Sequence, residues 1–255
     1  MKKHITDFIV LDNQSYGSQY FSLTIQHSDT MPEILPGQFV EVLVPDTQGV
    51  MLRRPISIHD VDYSNNTMTL LIQKVGKGSR RLSALHKGET LNMVYPLGNG
   101  FSTDAKNILL VGGGAGTAPL LYLARCLNQK GIRPTILLAG RTADLIPVKE
   151  PYAQYGDLLF ATDDGSLGEK GVATQHSCFN NSYDLICTCG PTPMMKAVAR
   201  LAKEKNITCE VSLENMMACG IGACLCCVQD TDEGHKCVCK DGPVFNINHL
   251  ENWMN

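Results

Sequence analysis

Length, composition and charge are those of an ordinary globular protein. The chain has 255 residues, enough for two domains, and 44% of them are hydrophobic and 18% charged. The formal net charge of −3 argues against nucleic acid or an anionic membrane as a partner, because both attract basic surfaces. No apolar run reaches the roughly 18 residues of a membrane span, and Asp7 and Asp12 make the N-terminal stretch a poor signal peptide. We therefore expect a cytoplasmic protein that does not bind membranes.

The first part of the chain, residues 1–100, is typical of β-structure. Apolar and polar residues alternate over 21–26, and residues 38–44 and 67–75 are rich in β-branched side chains, as in strands. Proline and glycine separate these runs. Short strands with regular turns and few helical stretches predict a small antiparallel barrel.

The second part, residues 101–210, predicts a parallel sheet with helices on both faces. It alternates short apolar strands with helices. The predicted strands are 108–111, 135–139, 158–161 and 183–188, and the predicted helices are 119–129 and 192–204. The remaining segment, 211–255, is too short to build its own core, and we expect its cysteines to fix it.

The cysteines of this last segment have the spacing of a metal centre. Of 11 cysteines in the chain, six lie from Cys219 to Cys239. Clustered cysteines in a long chain without a secretion signal favour a metal or redox centre over disulfides. One choice gives the spacing C-x4-C-x2-C-x11-C, whose first three positions match the plant-type [2Fe–2S] pattern; its ligands are Cys219, Cys224, Cys227 and Cys239. A zinc site is the alternative, although zinc prefers two short-spaced pairs. We interpret Cys226 and Cys237 as small buried hydrophobes.

A glycine-rich turn follows the first predicted strand of the second part. The string ILLVGGGAGTAP leads from that strand through Gly112, Gly114 and Gly116 into a helix with Pro119 near its start. Glycines let the backbone approach a diphosphate, and free N–H groups at a helix start face it. The order strand, glycines, helix predicts a dinucleotide site, and a tight connection without a ligand is the alternative.

Three further motifs complete a recognisable set: Arg54-Pro55-Ile56-Ser57, Gly76-Lys77-Gly78-Ser79, and Cys189-Gly190-Pro191 with Met194. Together with the glycine turn they resemble the ferredoxin–NADP reductase superfamily, which joins an FAD-binding β-barrel to a nicotinamide-binding α/β domain. The string from Glu214 to Cys224 narrows the likeness. It is similar to the electron-transfer subunits of NAD-dependent (class 1B) dihydroorotate dehydrogenases, over essentially the whole chain.

The resemblance implies residue roles. Arg54 pairs with the FAD pyrophosphate, Gly78 and Ser79 donate to it, and Ser57 places a hydroxyl near the flavin N5. The flavin is lined by Pro55, Ile56, Leu71, Ile72 and Gln73, with Ile56 where the superfamily has an aromatic residue. Gly190 and Pro191 contribute to the nicotinamide site, and Cys189 lies near the nicotinamide ring. Ser57 and Cys189 are thus the expected catalytic residues. A surface charge is the alternative for Arg54.

The resemblance also implies function and partners. The expected organisation is an FAD barrel (1–100), an NAD domain (101–210) and a [2Fe–2S] segment (211–255). Such a chain takes electrons from an FMN-bearing dihydroorotate-oxidising subunit through the cluster and FAD to NAD+, in a heterotetramer with two copies of each subunit. One alternative is an oxidoreductase subunit serving sulfide, hydrogenase or ferredoxin chemistry. The other is a non-catalytic, zinc-bearing nucleotide sensor.

Overall fold

The computed structural model describes residues 2–254 and contains two sheet systems. The first is a closed antiparallel barrel in the order β1-β2-β5-β4-β3-β6, formed by β1 (His4–Tyr16), β2 (Tyr20–His27), β3 (Phe39–Val42), β4 (Arg54–Asp62), β5 (Thr67–Gln73) and β6 (Thr90–Leu97). A short helix, α1 (Lys77–Leu82), follows β5. The interior is filled by apolar side chains that alternate along each strand, among them Phe8, Phe21 and Leu70. The barrel predicted for residues 1–100 is confirmed.

The second system is a seven-stranded sheet in the order β10-β9-β8-β7-β11-β12-β15. Its strands are β7 (Ile108–Gly113), β8 (Thr135–Gly140), β9 (Asp157–Thr162), β10 (Glu169–Lys170), β11 (Leu185–Cys189), β12 (Thr208–Ser212) and β15 (Val244–Asn246). All neighbours are parallel except β12 and β15, which are antiparallel. Its two long helices are α2 (Ala118–Gln129) and α3 (Thr192–Glu204). Each sheet face carries its own apolar core.

The sequence-based elements agree with this architecture to within a few residues. Helix α2 begins at Ala118 rather than 119, because a 3₁₀ turn over Gly114–Thr117 leads the chain from the glycines into the helix. The strand order reverses beside β7, which lies between β8 and β11. Open α/β sheets bind ligands at the carboxyl ends of strands beside such a reversal. The glycine turn after β7 and the Cys189-Gly190 pair at the end of β11 therefore meet at the expected place.

The cysteine-rich segment is attached to the second sheet. It contains a hairpin of β13 (Val228–Thr231) and β14 (Gly234–Cys237), then α4 (Val238–Asp241), β15 and α5 (Glu251–Met254). The boundary predicted at residue 210 falls within β12, and β15 extends the same sheet by pairing with β12. The segment thus shares its hydrophobic core with the preceding domain. No helix within residues 2–254 is both long and apolar enough to cross a membrane.

The barrel packs on α2 through buried polar contacts. The Nδ1 of His59 donates to the carbonyl oxygen of Ala118 over 2.8 Å, and His59 is 4% exposed. Beside it, Arg125 pairs with Asp60 over 3.1 Å. The hydroxyl of Tyr122 donates to the carbonyl of Ile34 over 3.1 Å. These contacts fix the angle between barrel and sheet, and burial lowers the pKa of His59 from 6.5 to about 4.

This depressed pKa predicts an acid-sensitive interface. The unfolded chain binds a proton at His59 below about pH 6.5, whereas the folded chain resists protonation down to about pH 4. Stability from this residue is therefore lost as the pH falls through that window, by up to about 3 kcal/mol. We expect His59→Gln, which cannot be protonated there, to flatten the pH dependence of the unfolding midpoint. The measurement is thermal unfolding of both proteins between pH 4.5 and 7, and parallel curves for the two would contradict the prediction.

Candidate functional site

A cavity of about 430 Å³ opens between the barrel, the second sheet and the start of the cysteine-rich segment. Residues of all three motif regions of the barrel line it: Arg54, Pro55, Ile56, Ser57, Leu71, Ile72, Gln73, Gly76, Lys77, Gly78 and Ser79. The second sheet closes the far side with Ala115 and Ala118. Every residue that the sequence predicted to bind FAD therefore lies at one cavity.

Arg54 and Gly78 form a cradle for an anion at one end of this cavity. The Nη1 of Arg54 donates to the backbone carbonyls of Leu52 and Arg53, over 2.8 and 3.2 Å, which holds the guanidinium in place. A Cβ on Gly78 would lie 3.0 Å from the Nε of Arg54, so glycine leaves the space that the guanidinium occupies. The other guanidinium nitrogens are the planar donor set that suits a pyrophosphate.

Ser79 contributes to the same turn in a different way from its sequence-based role. Its hydroxyl oxygen accepts from the backbone N–H groups of Val75 and Gly76, over 2.9 and 3.1 Å, and donates to the carbonyl of Gly76. The side chain therefore shapes the turn before α1. The backbone N–H groups of the first turn of α1 have no partner within the helix and remain available as donors.

Ser57 and Ile56 lie side by side on β4, where it pairs with β3. Ser57 is opposite Phe39 in this ladder, and Ile56 is 8% exposed. On the neighbouring strand β5, Leu71 and Ile72 are buried. Gln73 is the last residue of this strand, and it lines this cavity and also the second cavity described below. An apolar wall with one hydroxyl fits the isoalloxazine ring of a flavin, which is flat and apolar with a polar edge.

A second cavity, of about 690 Å³, lies at the carboxyl ends of β7, β8 and β11. Gly113, Gly114, Ala115 and Gly116 form its floor, with Gly190, Pro191 and Met194 beside them. A Cβ on Gly116 would lie 2.3 Å from the Cα of Gly190, so these two glycines are needed for the two loops to touch. The glycine turn before α2 therefore has the form of a diphosphate site.

Three sequence-predicted residues lie near this cavity without lining it. Gly112 packs against Thr117 and Leu120, and a Cβ there would be 2.9 Å from the Leu120 side chain. Pro119 is buried in the first turn of α2. Cys189 is 1% exposed at the end of β11, and burial raises the pKa of its thiol well above its ordinary value. The catalytic role of Cys189 stays a prediction.

Glu214 belongs to the site although sequence reasoning assigned it no role. It lines both cavities, and burial raises the pKa of its carboxyl group. Gln73 and Ala115 are likewise shared by both cavities. The two cavities are therefore neighbours, with these three residues between them. The sequence indicates Glu214 only as the first residue of the string that leads to Cys219 and resembles the family. The fold shows that Glu214 lines both cavities.

Backbone N–H groups point at the sulfur atoms of the cysteine-rich segment. Cys219 Sγ accepts from Ile221 and Ala223 over 3.5 and 3.3 Å, and Cys239 Sγ accepts from Gly222 over 3.1 Å. Gly220 and Gly222 have φ of +67° and +80°, which glycine adopts without strain. Hydrogen bonds of this kind stabilise thiolates and tune the potential of an iron–sulfur cluster.

The six cysteines of this segment differ in exposure, and the predicted ligand Cys224 is exposed like the surplus Cys226. Burial raises the pKa of the Cys219 thiol, but hydrogen bonds from the N–H groups of residues 221, 223 and 224 outweigh burial and lower this pKa to about 6. Burial and Cys227 raise the pKa of Cys239 to about 12, and metal binding deprotonates such thiols. Cys237 is 9% exposed, in agreement with the buried position that the sequence predicts. Cys226 is exposed, so the buried position expected for it is wrong.

The donor set suits a two-iron cluster. Within residues 2–254, no three His, Cys, Asp or Glu side chains converge on one point where a single metal ion could sit. A [2Fe–2S] cluster shares four cysteines between two irons, so its ligands do not need one common centre. The two glycines, the sulfur-directed N–H groups and the buried pair Cys227 and Cys239 fit such a cluster.

The antiparallel barrel, the mostly parallel sheet with its glycine turn and the cysteine-rich segment together define a class of protein. This class is a flavin- and iron–sulfur-dependent oxidoreductase with a ferredoxin reductase fold. A solved structure titled "Insights into flavin-based electron bifurcation via the NADH-dependent reduced ferredoxin-NADP oxidoreductase structure" is similar, with a TM-score of 0.86 and 31% identity over 95% of this chain and 88% of that chain. The ferredoxin reductase of carbazole 1,9a-dioxygenase shares the fold at 19% identity, with a TM-score of 0.66 over 81% of this chain and 67% of that chain.

Sequence comparison gives the family. A family model for the iron–sulfur cluster binding domain of dihydroorotate dehydrogenase B matches residues 214–251. Dihydroorotate dehydrogenase B (NAD(+)) electron transfer subunits from Bacillus cereus (strain Q1) and Bacillus anthracis (strain CDC 684 / NRRL 3495) are each 37% identical over 254 residues, covering 96% of this chain and 97% of the relative. The chain belongs to the family of dihydroorotate dehydrogenase B electron transfer subunits.

The Arg54 cradle predicts a specific loss of flavin. Arg54→Ala removes the planar donors from the cavity, whereas Arg53→Ala removes a neighbouring cation that bonds Asn92 and the carbonyl of Glu41 instead. We expect the Arg54 variant to bind FAD about ten- to hundredfold more weakly and the Arg53 variant to stay within about threefold. Flavin content after gel filtration and FAD titration of the apoprotein measure this. Equal affinity for both variants would contradict the cradle.

The cysteine spacing predicts which thiols hold the cluster. Cys219→Ser, Cys224→Ser, Cys227→Ser and Cys239→Ser should each abolish the reduced-state EPR signal, because each removes one of four ligands. Cys226→Ala is the matched control, since it changes an exposed cysteine adjacent to Cys227. Loss of the signal in the Cys226 variant, or its retention in any of the four serine variants, would show the ligand assignment to be wrong.

Proposed function

We propose that this chain transfers electrons from an FMN-bearing, dihydroorotate-oxidising partner to NAD+, and so serves pyrimidine biosynthesis. Its relatives are named as NAD(+)-dependent electron transfer subunits of dihydroorotate dehydrogenase B. Bound FAD would supply the chemistry that joins hydride exchange with the nicotinamide to single-electron exchange with the [2Fe–2S] cluster. Every residue that FAD and NAD need in this scheme lies at one of the two cavities or directly behind it.

The observation that carries the proposal is that the two cavities and the cysteine-rich segment are neighbours. Gln73, Ala115 and Glu214 line both cavities. Asn215 and Met217 follow Glu214 in the chain and also line the first cavity. Met217 is two residues before Cys219. The same short segment thus borders the flavin cavity, the nicotinamide cavity and the cluster loop.

The protein's own residues hold the reacting groups and keep water away. Ile56, Leu71 and Ala118 give the first cavity apolar walls, which favour hydride exchange over side reactions with solvent. Ser57 supplies a hydroxyl on that wall, and Arg54 with the turn around Gly78 anchors the diphosphate end. Burial raises the pKa of the Glu214 carboxyl group, which lies where the two cavities meet.

The surface around the cysteine loop suits a protein partner. Met216, Ile221 and Leu225 are 83%, 47% and 64% exposed, and Cys224 is exposed among them. Apolar side chains concentrated at the cluster favour docking of the electron-donating subunit there, because single-electron transfer needs the donor close to the cluster. We propose that this subunit carries FMN, and that the complex is a heterotetramer with two copies of each subunit.

Free thiols support a cytoplasmic location. All 11 cysteines are unpaired, which is the usual state of thiols in a reducing compartment. The substrate NAD+ and the iron–sulfur cluster are consistent with the same compartment. The cytoplasmic location is part of the proposal.

A second candidate is an oxidoreductase subunit of another complex, of the ferredoxin-linked kind. The 31% identical structure of the NADH-dependent reduced ferredoxin-NADP oxidoreductase favours it, because the likeness covers 95% of this chain. The 37% identity to the dihydroorotate dehydrogenase B subunits and the match of residues 214–251 to their cluster domain favour the first candidate.

Reconstitution separates the two candidates. The holoprotein is purified with an FMN-bearing dihydroorotate-oxidising subunit, and NADH formation from dihydroorotate and NAD+ is followed at 340 nm. We expect the complex to form NADH, and we expect Cys227→Ser to abolish this while the Cys226→Ala complex keeps wild-type activity. The isolated chain should still reduce an artificial dye with NADH in both variants, since that reaction needs only the flavin. A complex that oxidises dihydroorotate without forming NADH would contradict the proposal, and ferredoxin-dependent NAD(P)H formation would support the second candidate.

A further inference from the structure

Tyr20 lies in the nicotinamide-side cavity but belongs to the barrel. It is the first residue of β2 and pairs with Gln73 of β5. Gln19, Tyr20 and Gln73 line the cavity, whose other walls come from the second sheet and from Glu214. The dinucleotide cavity is therefore built across the junction of the two domains, with the barrel forming one wall.

The hydroxyl of Tyr20 rests against the glycine turn. A Cβ added to Gly114 would lie 3.3 Å from the Tyr20 oxygen. Gly114 has a φ of +55°, and it begins the 3₁₀ turn that leads into α2. A side chain at 114 would thus crowd the hydroxyl as well as strain the backbone. The phenol and the turn share one face of the cavity.

The Tyr20 side chain is largely buried, and its hydroxyl reaches the cavity. Tyr20 is 2% exposed and lines the cavity, and its side chain forms no hydrogen bond with any residue in the described range 2–254. Burial, together with the carboxylate of Asp144, raises the pKa of the phenol, so the hydroxyl stays protonated and can donate. The hydroxyl is therefore available as a donor to a ligand in the cavity.

The charges around the cavity make a neutral donor useful. Arg141 is the cation among the lining residues, against the carboxylates of Asp163 and Glu214. A diphosphate with two negative charges therefore depends on neutral donors for much of its binding. Backbone N–H groups of the glycine turn are one source. The Tyr20 hydroxyl is a second.

We propose that Tyr20 donates its hydroxyl proton in a hydrogen bond to the diphosphate of the nicotinamide dinucleotide, so that the barrel as well as the α/β domain holds the substrate. The proposal deepens the proposed function and rests on its NAD site. Tyr20 is a binding residue here, and no bond is made or broken at it. It also ties affinity for the dinucleotide to the packing of the barrel on the second sheet.

The test compares Tyr20→Phe with the wild-type holoprotein by calorimetric titration of NADH, ADP-ribose and 5′-AMP. ADP-ribose keeps the diphosphate and lacks the nicotinamide ring, whereas 5′-AMP lacks the diphosphate. We expect the variant to bind NADH and ADP-ribose roughly ten- to hundredfold more weakly and 5′-AMP within about twofold of the wild type. Flavin absorption and the cluster signal should be unchanged.

Tyr63→Phe is the matched control, because it removes a tyrosine hydroxyl that accepts from the Ile34 N–H and lies outside both cavities. It should bind all three ligands as the wild type does. A Tyr20→Phe protein that binds ADP-ribose as tightly as the wild type, or that loses 5′-AMP equally, overturns the proposal. A wild-type protein that binds neither NADH nor ADP-ribose contradicts the NAD site itself and thereby the proposed function.

A second measurement needs no substitution. In a crystal structure of the wild-type protein with ADP-ribose, the phenolic oxygen of Tyr20 should lie about 3 Å from a diphosphate oxygen. A separation beyond about 4 Å overturns the proposal even if the phenylalanine variant fails to fold.

Discussion

The packing of helix α2 against strand β4 is the constraint on which the rest of the molecule depends. Both cavities lie between the barrel and the second sheet, so their shapes exist only at one relative placement of the two. The His59 to Ala118 hydrogen bond and the Arg125–Asp60 ion pair hold that placement from the barrel side. The ion pair leaves Asp60 Oδ1 and Arg125 Nε without partners, and such incomplete buried pairs are costly. Its value therefore lies in fixing position more than in stability.

The same helix also ties the phosphate turn to a third element. The hydroxyl of Tyr152 donates to the carbonyl of Thr117 over 2.7 Å, and the Thr117 hydroxyl donates to the carbonyl of Gly114. Backbone carbonyls at the start of α2 are thus held from both sides, by His59 and by Tyr152. The glycine turn is consequently rigid although it is rich in glycine, and a rigid turn binds a diphosphate without a large loss of conformational entropy.

Much of the fold follows from the sequence because the local signals and the tertiary packing agree. The apolar run at 108–111 is buried on both faces of a parallel sheet, as its continuous pattern predicts. Arg54, Ser57, Leu71 and Gly78 are separated in sequence yet line one cavity, because a closed barrel brings β4, β5 and the turn before α1 together. The family motifs predict this grouping without giving its shape.

Other parts of the site could not be read from the sequence. The sequence predicts a boundary at residue 210, whereas β12 spans this position and β15 pairs with β12, and no local pattern records that pairing. The burial of Cys189 at the end of β11 is likewise visible only in the fold. Neither Glu214 nor Tyr20 has a recognised functional role in the sequence motifs. Both residues line the second cavity because the fold brings their segments together there.

The sequence by itself determined the kinds of chemistry: cysteine spacing for an iron–sulfur cluster, glycines for a diphosphate, and an arginine motif for a flavin. These are local properties, because a spacing or a glycine turn depends on residues adjacent in the chain. Only the tertiary structure decided that the two cavities share Glu214 as a lining residue, and that the barrel contributes Tyr20 to the other domain's cavity. Those features depend on the angle at which α2 meets β4, which is set by contacts between residues about 60 positions apart.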